Sequence, residues 1–266
     1  AASAGAFLYY WLRDMADISA SASASLAFCL PLGNSFWAQA TGAKGGYYTF
    51  AALILLILAW ALVRGRSWIA VFLIGLGLSH HWMTTAVLAG SMVLGAFRSR
   101  PQVKYFNFPF LASLFLIPLS LYLCLPLRAT AKVELNWEDP SNWGNFLWVF
   151  FRRGYLGAEG LRDASRLWGQ VLALGGTWGG EWGWASLVLV PAAVWGWFGL
   201  RSLPRVQESR ILGFPVLGMA LALLFYLNLP ADQRHLFEGY SAPAFPLVLL
   251  LAAFGIARLE RKAPRR

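Results

Sequence analysis

Nine apolar stretches, none containing Asp, Glu, Lys or Arg, recur along this chain at about 1–12, 19–39, 47–63, 67–80, 82–97, 105–127, 182–200, 211–229 and 241–257. An α-helix needs about 20 such residues to cross the roughly 30 Å hydrocarbon core of a bilayer. Backbone groups find no water there, and a helix is the fold that pairs them within one segment. The pattern predicts an all-α, polytopic transmembrane helical bundle of about eight or nine spans, organised as a single domain over 1–266. Composition agrees: 58% of the residues are hydrophobic and 13% charged, against about 25% charged in soluble domains.

The first stretch is half a span long and the chain begins with Ala, so a preceding segment is expected. Stretches 67–80 and 82–97 are each short, and His80-His81 divides them. They read as a hairpin of two short helices with the histidines at its tip; the alternative is one helix with a polar break. Charge separates the two. If the tail 258–266 is cytoplasmic, alternation also places Arg13, Arg64, Arg66, Arg98, Arg100, Lys104, Arg201, Arg205 and Arg210 there, provided that 67–97 turns back on itself. Fourteen of the 22 Lys and Arg residues then lie inside, against four of the 12 acidic residues, as the positive-inside rule requires. A net charge of +10 therefore reflects membrane topology, and no nucleic-acid partner is implied. Cys29 and Cys124 both fall in apolar runs and read as small buried hydrophobes.

The same alternation sends Gln39, Lys44, His80, His81, the segment 128–181 and Asp232 to Glu238 to the extracytoplasmic face. Charge is costly beside hydrocarbon, so a polar cluster kept there points to function. Within 128–181, Phe146, Leu147, Phe150 and Phe151 recur at helical spacing after Trp143, and Leu161, Ala164, Trp168, Val171 and Leu172 do so again. Two amphipathic helices lying in the headgroup layer are expected. Asp139 suits the N-cap of the first, with Pro140 at its opening position. Gly175, Gly176, Gly179 and Gly180 read as a flexible turn, and Trp178, Trp182 and Trp184 as an interfacial belt.

Four motifs follow one another: Phe36-Trp37-Ala38-Gln39-Ala40, Gly75-Leu76-Gly77-Leu78-Ser79-His80-His81, Leu123-Cys124-Leu125-Pro126-Leu127-Arg128 and Leu135-Asn136-Trp137-Glu138-Asp139-Pro140. Together they resemble a bacterial membrane-protein family of unknown function related to the protein O-mannosyltransferases, within the GT-C glycosyltransferases. That family shows Pro-x-Arg-Ala, then Asn-Trp-Gly-Asp-Pro, then Arg-x-x-Tyr; the matching residues are Pro126, Arg128, Ala129, Asn136, Trp137, Asp139, Pro140, Arg152 and Tyr155. Glu138 replaces the usual Gly, and Lys44-Gly45-Gly46-Tyr47 stands where the family has Glu-Val-Tyr. The resemblance implies an inner-membrane enzyme that moves a mannose-like sugar from a polyprenyl-phosphate carrier to an extracytoplasmic acceptor, with membrane lipids, the lipid-linked donor and further membrane subunits as partners.

Such a reaction needs donors for a phosphate that gains charge as the sugar leaves, and a base for the acceptor hydroxyl. Arg128, with Arg152, His80 and His81, is the expected phosphate and lipid-carrier set, because a guanidinium offers paired donors and stays charged. Arg128 also fits a snorkelling interfacial anchor. Asn136, Trp137 and Tyr155 are expected to contact sugar or acceptor. The family's carboxylate in the first outer loop has no counterpart here, which leaves Glu138 and Asp139 as fallback bases. No metal site is expected and no cofactor beyond the donor substrate. The rival reading is a non-catalytic GT-C-like scaffold or accessory subunit.

Overall fold

The computed structural model describes residues 1–16, 18–42, 46–97, 107–131, 138–151, 153, 164–201, 206–226, 229 and 232–262. They are mostly helical, without a strand among them. The helices are α1 (Ala2–Met15), α2 (Ala20–Leu32), α3 (Asn34–Thr41), α4 (Tyr47–Val63), α5 (Ser67–Phe97), α6 (Phe108–Leu119), α7 (Cys124–Thr130), α8 (Trp143–Phe150), α9 (Ala164–Gly180), α10 (Ser186–Arg201), α11 (Val206–Leu221), α12 (Arg234–Ser241) and α13 (Phe245–Lys262). Among the described residues, five stretches are long and apolar enough to cross a membrane: Ser67–Phe97, Phe108–Thr130, Gly183–Leu200, Gln207–Tyr226 and His235–Glu260. The chain therefore reads as an integral membrane protein.

This is fewer than eight or nine, and the first third of the chain accounts for much of the difference. The stretch 19–39 is broken at Gly33, whose extended backbone (φ −61°, ψ 139°) separates α2 from α3. The break leaves α2 with 13 residues, shorter than a span, while α4, with 17, stands at the lower limit of one.

Contacts fix the directions of the helices around α5. The Tyr47 hydroxyl donates to the His80 carbonyl (2.6 Å), while Arg64, just past α4, pairs with Asp14 at the end of α1. These mark a His81 end and an Arg64 end. From Arg64, α5 rises to His80; its backbone breaks at His81 (φ −144°, ψ 83°). Beyond the break the chain returns. A Cβ on Gly77 would stand 3.3 Å from Thr85 Cβ, whereas eight helical residues span about 12 Å. Gly95 packs on Arg210, and Ser91 and Val87 on Gly218, so the second arm runs antiparallel to α11. Before the break, Gly75 meets Phe115 and Pro118 and Leu78 accepts from the Tyr122 hydroxyl (3.0 Å), so the first arm runs parallel to α6. Both relations require Ser67 and Phe97 to share the Arg64 end. The hairpin expected from charge is the arrangement observed.

Position in the bundle follows lipophilicity in an instructive way. The most apolar part of His235–Glu260, the stretch that holds α13, is 83% buried in protein, whereas that of Phe108–Thr130 is only 11% buried. A helix that is apolar all round needs an apolar environment on every side; α13 finds it among neighbours. Most of the Phe108–Thr130 surface finds it in lipid. The close crossing of α10 and α13 depends on Gly196 and Gly255, where an added Cβ would overlap Leu251 and Ala192 backbone atoms respectively.

Candidate functional site

The His81 end gathers polar groups from six elements: the α2–α3 junction, the start of α4, the tip of α5, the end of α7, the turn before α8, and the α9–α10 junction. His80 and Tyr47 hold each other. The His80 imidazole Nε2 lies 2.8 Å from the Tyr47 carbonyl, which only accepts, so Nε2 carries the hydrogen. The ring lies tilted against Tyr47 at 4.4 Å and edge-on to Phe50 at 5.1 Å. His80 remains half-buried.

His81 does not open to water as a hairpin tip would. It is 1% exposed, ringed by Tyr47, Tyr48 and Tyr240 at 5.2–5.4 Å, and its Nδ1 accepts the Thr84 N–H (3.2 Å). This acceptance from three residues on is the geometry of an N-cap. The second arm of α5 begins inside the protein, where its first-turn donors lack water, and the imidazole supplies an acceptor.

Arg128 lies in the last turn of α7 and is exposed. The segment reaches the His81 end because Tyr122 is anchored to Leu78 and packs on Phe150 of α8 at 4.8 Å. Glu138 and Asp139 are exposed and take positive φ values of 55° and 40°, an uncommon conformation for residues with a Cβ. Asp139 is not the cap of α8. Asn142 is: its side chain accepts the Asn145 N–H (2.9 Å), and Asn145 Nδ2 donates back to the Asp139 carbonyl (2.8 Å). The helix starts three residues later than Pro140 suggests because the turn is built from the left-handed pair. Asn136, Trp137, Arg152 and Tyr155 lie outside the described residues.

The glycines 175–180 do not form a turn either; α9 continues through Gly180. Two of the tryptophans near them are tied inward. Trp178 Nε1 donates to Ser241 Oγ (2.9 Å) and Trp182 Nε1 to the Cys29 carbonyl (2.9 Å), both against Phe245. Trp184 is 88% exposed and alone among the three presents its face outward.

Sequence reasoning passed over Glu181. It is 2% exposed, and its carboxylate accepts the N–H groups of Ser35 (2.9 Å) and Phe36 (3.2 Å), while its carbonyl accepts that of Asn34 (2.7 Å). Three orphan donors at the start of α3 thus meet one residue far along the chain. Burial pushes the carboxyl above the ordinary glutamate range; the hydrogen bonds from Ser35 and Phe36 pull it back, and nearby Glu238 pushes it up again. Gly33 is the residue that permits this approach, since a Cβ there would meet Glu181 Oε1. A lone acid directly before an apolar span, in a chain poor in charge, was the signal available.

No protein-family model, curated protein or solved structure matches this chain.

Proposed function

We propose that the chain is a membrane glycosyltransferase of GT-C type that moves a mannose-like sugar from a polyprenyl-phosphate carrier to an extracytoplasmic acceptor. One observation carries the reading: His80, Arg128, Glu138, Asp139 and Glu181 belong to the same end of the bundle, away from Arg13, Arg64, Arg210 and Arg258. By the positive-inside rule the basic end faces the cytoplasm, together with the C-terminus, and the His81 end faces away from it. The resemblance supplies the substrate class and the bacterial inner membrane as the location.

In this reading Arg128 gives paired donors to the phosphate of the carrier. The acceptor hydroxyl oxygen attacks the anomeric carbon, the bond from that carbon to the phosphate oxygen breaks, and the phosphate leaves with the electron pair. A carboxylate of Glu138 or Asp139 takes the hydroxyl proton. Asn136, Trp137, Arg152 and Tyr155 complete the site as the resemblance assigns them. His80 stands beside the phosphate, whereas His81 caps a helix. The donor is a substrate; lipids and further membrane subunits are the partners.

The scaffold reading has one observation in its favour: Glu181, the buried carboxylate of this end, is engaged in holding α3. The two are separated by proteoliposomes given synthetic polyprenyl-phosphate mannose, with release of polyprenyl phosphate measured. Turnover that falls about 10²-fold or more in Arg128→Ala, as loss of a transition-state charge donor predicts, supports the enzyme. Turnover unchanged in that variant removes Arg128 from the reaction, and no turnover in the parent protein supports the scaffold.

A further inference from the structure

At the end opposite the candidate site, a crevice of about 430 Å³ is lined by Tyr10, Asp14, Trp60, Arg64, Gly65 and Arg66. The sequence builds it with a helix stop. Gly65 takes φ +65°, which favours glycine, and its N–H reaches Leu62 O (3.2 Å) while that of Arg66 reaches Ala61 O (2.7 Å). This paired closure satisfies the last carbonyls of α4 and fixes the two arginines on either side of one residue. The negative end of α4 is thereby quenched where it faces the crevice.

Arg64 pairs with Asp14, yet a guanidinium has five N–H donors and one carboxylate does not exhaust them. Arg66 is exposed. Its carbonyl accepts the Ala70 N–H (3.1 Å), which sets it at the N-terminal boundary of α5, the positive end of that helix. Two arginines against one aspartate leave the crevice cationic. Trp60 and Tyr10, the latter 59% exposed, are the residue types that settle between hydrocarbon and water. The volume falls in the range of small-ligand pockets.

We infer that this crevice binds a phosphate group at the membrane surface, supplied by the headgroup of an anionic phospholipid. Arg66 and the unspent donors of Arg64 hold the phosphate oxygens, Tyr10 and Trp60 set its depth, and Asp14 competes for Arg64 and limits the affinity. The site is independent of any sugar transfer at the other end.

Intact-protein mass spectrometry of the full chain, released from mixed micelles with equal phosphatidylglycerol and phosphatidylcholine, reads the bound lipid directly. Phosphatidylcholine carries the same phosphate neutralised by its choline. Phosphatidylglycerol is expected to be retained preferentially. Arg66→Gln should cut that retention about tenfold, the loss of one charge-assisted contact, and Asp14→Asn should raise it. Arg13→Gln is the control, because Arg13 lies at the same end but donates to the Ile18 carbonyl (2.9 Å) outside the crevice. Displacement of the lipid by millimolar inorganic phosphate would assign the same phosphate chemistry to a soluble ligand; resistance to it supports the headgroup. Equal retention of the two lipids, no change in Arg66→Gln, or an equal loss in Arg13→Gln would overturn the inference.

Discussion

Truncating Glu181 to Ala tests whether a single buried carboxylate sets the entry to the candidate site. Two N–H donors, those of Ser35 and Phe36, lose their acceptors; the Asn34 bond survives because it uses the Glu181 main chain. A buried donor left unsatisfied costs about 1–3 kcal/mol, and loss of the charge at a helix N-terminus adds about 0.3–1 kcal/mol. Against this, removing a carboxylate from a buried position recovers part of its desolvation cost, itself several kcal/mol. The expected net loss is about 2–4 kcal/mol. At about 2–4 °C per kcal/mol for a chain of this size class, thermal unfolding in detergent micelles should fall by about 5–15 °C, provided that the transition is reversible. Gly33→Ala should reproduce the loss with Glu181 itself unchanged in sequence, since the added Cβ displaces its Oε1. If both variants unfold within 1 °C of the parent, the carboxylate does not hold α3 and the reasoning fails. The pH dependence has a definite sign. Because burial raises the folded carboxyl above its ordinary value, the folded chain binds the proton over a window where the unfolded chain has released it. Its contribution is complete below the unfolded value and is lost as pH rises through the folded one. Glu181→Gln should flatten that slope.

Spin labels at Ser67 and Phe97, both exposed, should report a separation below about 30 Å by pulsed dipolar spectroscopy; a straight helix of that length would hold them about 45 Å apart. Gly196→Val should cost about 3 kcal/mol or more by forcing α10 from α13, as overpacking at a fixed backbone contact does, and should lower the unfolding temperature and the folded yield in detergent. A variant that unfolds like the parent would show that the crossing is looser than the contact with Leu251 requires.

What was legible in the sequence was whatever charge or length enforced. The reversal within 67–97 is the clearest instance: each half is short, and basic residues flank the pair on both sides, so parity alone demanded a turn. The break at Gly33 was not legible, because the stretch 19–39 carries no charge and its interruption is created by Glu181, far away in the chain. Local propensity misled at the other end of the same contact. Four glycines in six residues suggest a turn, yet α9 runs through them and delivers Glu181 to α3. Asp139-Pro140 likewise looks like a helix start, but the Asn142 side chain competes for that role and wins with its bond to Asn145. Arg128 was assigned to the His81 end because it leaves an apolar span, the one that α5 aligns; His81 was assigned to open water because nothing in its neighbours announces three tyrosine rings.

One backbone position therefore governs the sidedness of everything after it. With α5 straight, Phe97 would lie at the His81 end and each later helix would be inverted: Arg210 and Arg258 would join His80, and Arg128 would join Arg64. The extended φ and ψ of His81 reverse the parity, and the imidazole that accepts from Thr84 makes the reversal tolerable by ending one helix and starting the next within a buried turn. The enclosing rings of Tyr47, Tyr48 and Tyr240 come from α4 and α12, the elements that bring the first and last parts of the chain to this end. The same contact thus joins the hairpin to both halves of the bundle. That explains why a histidine set in an aromatic shell sits where the sequence alone suggested a ligand.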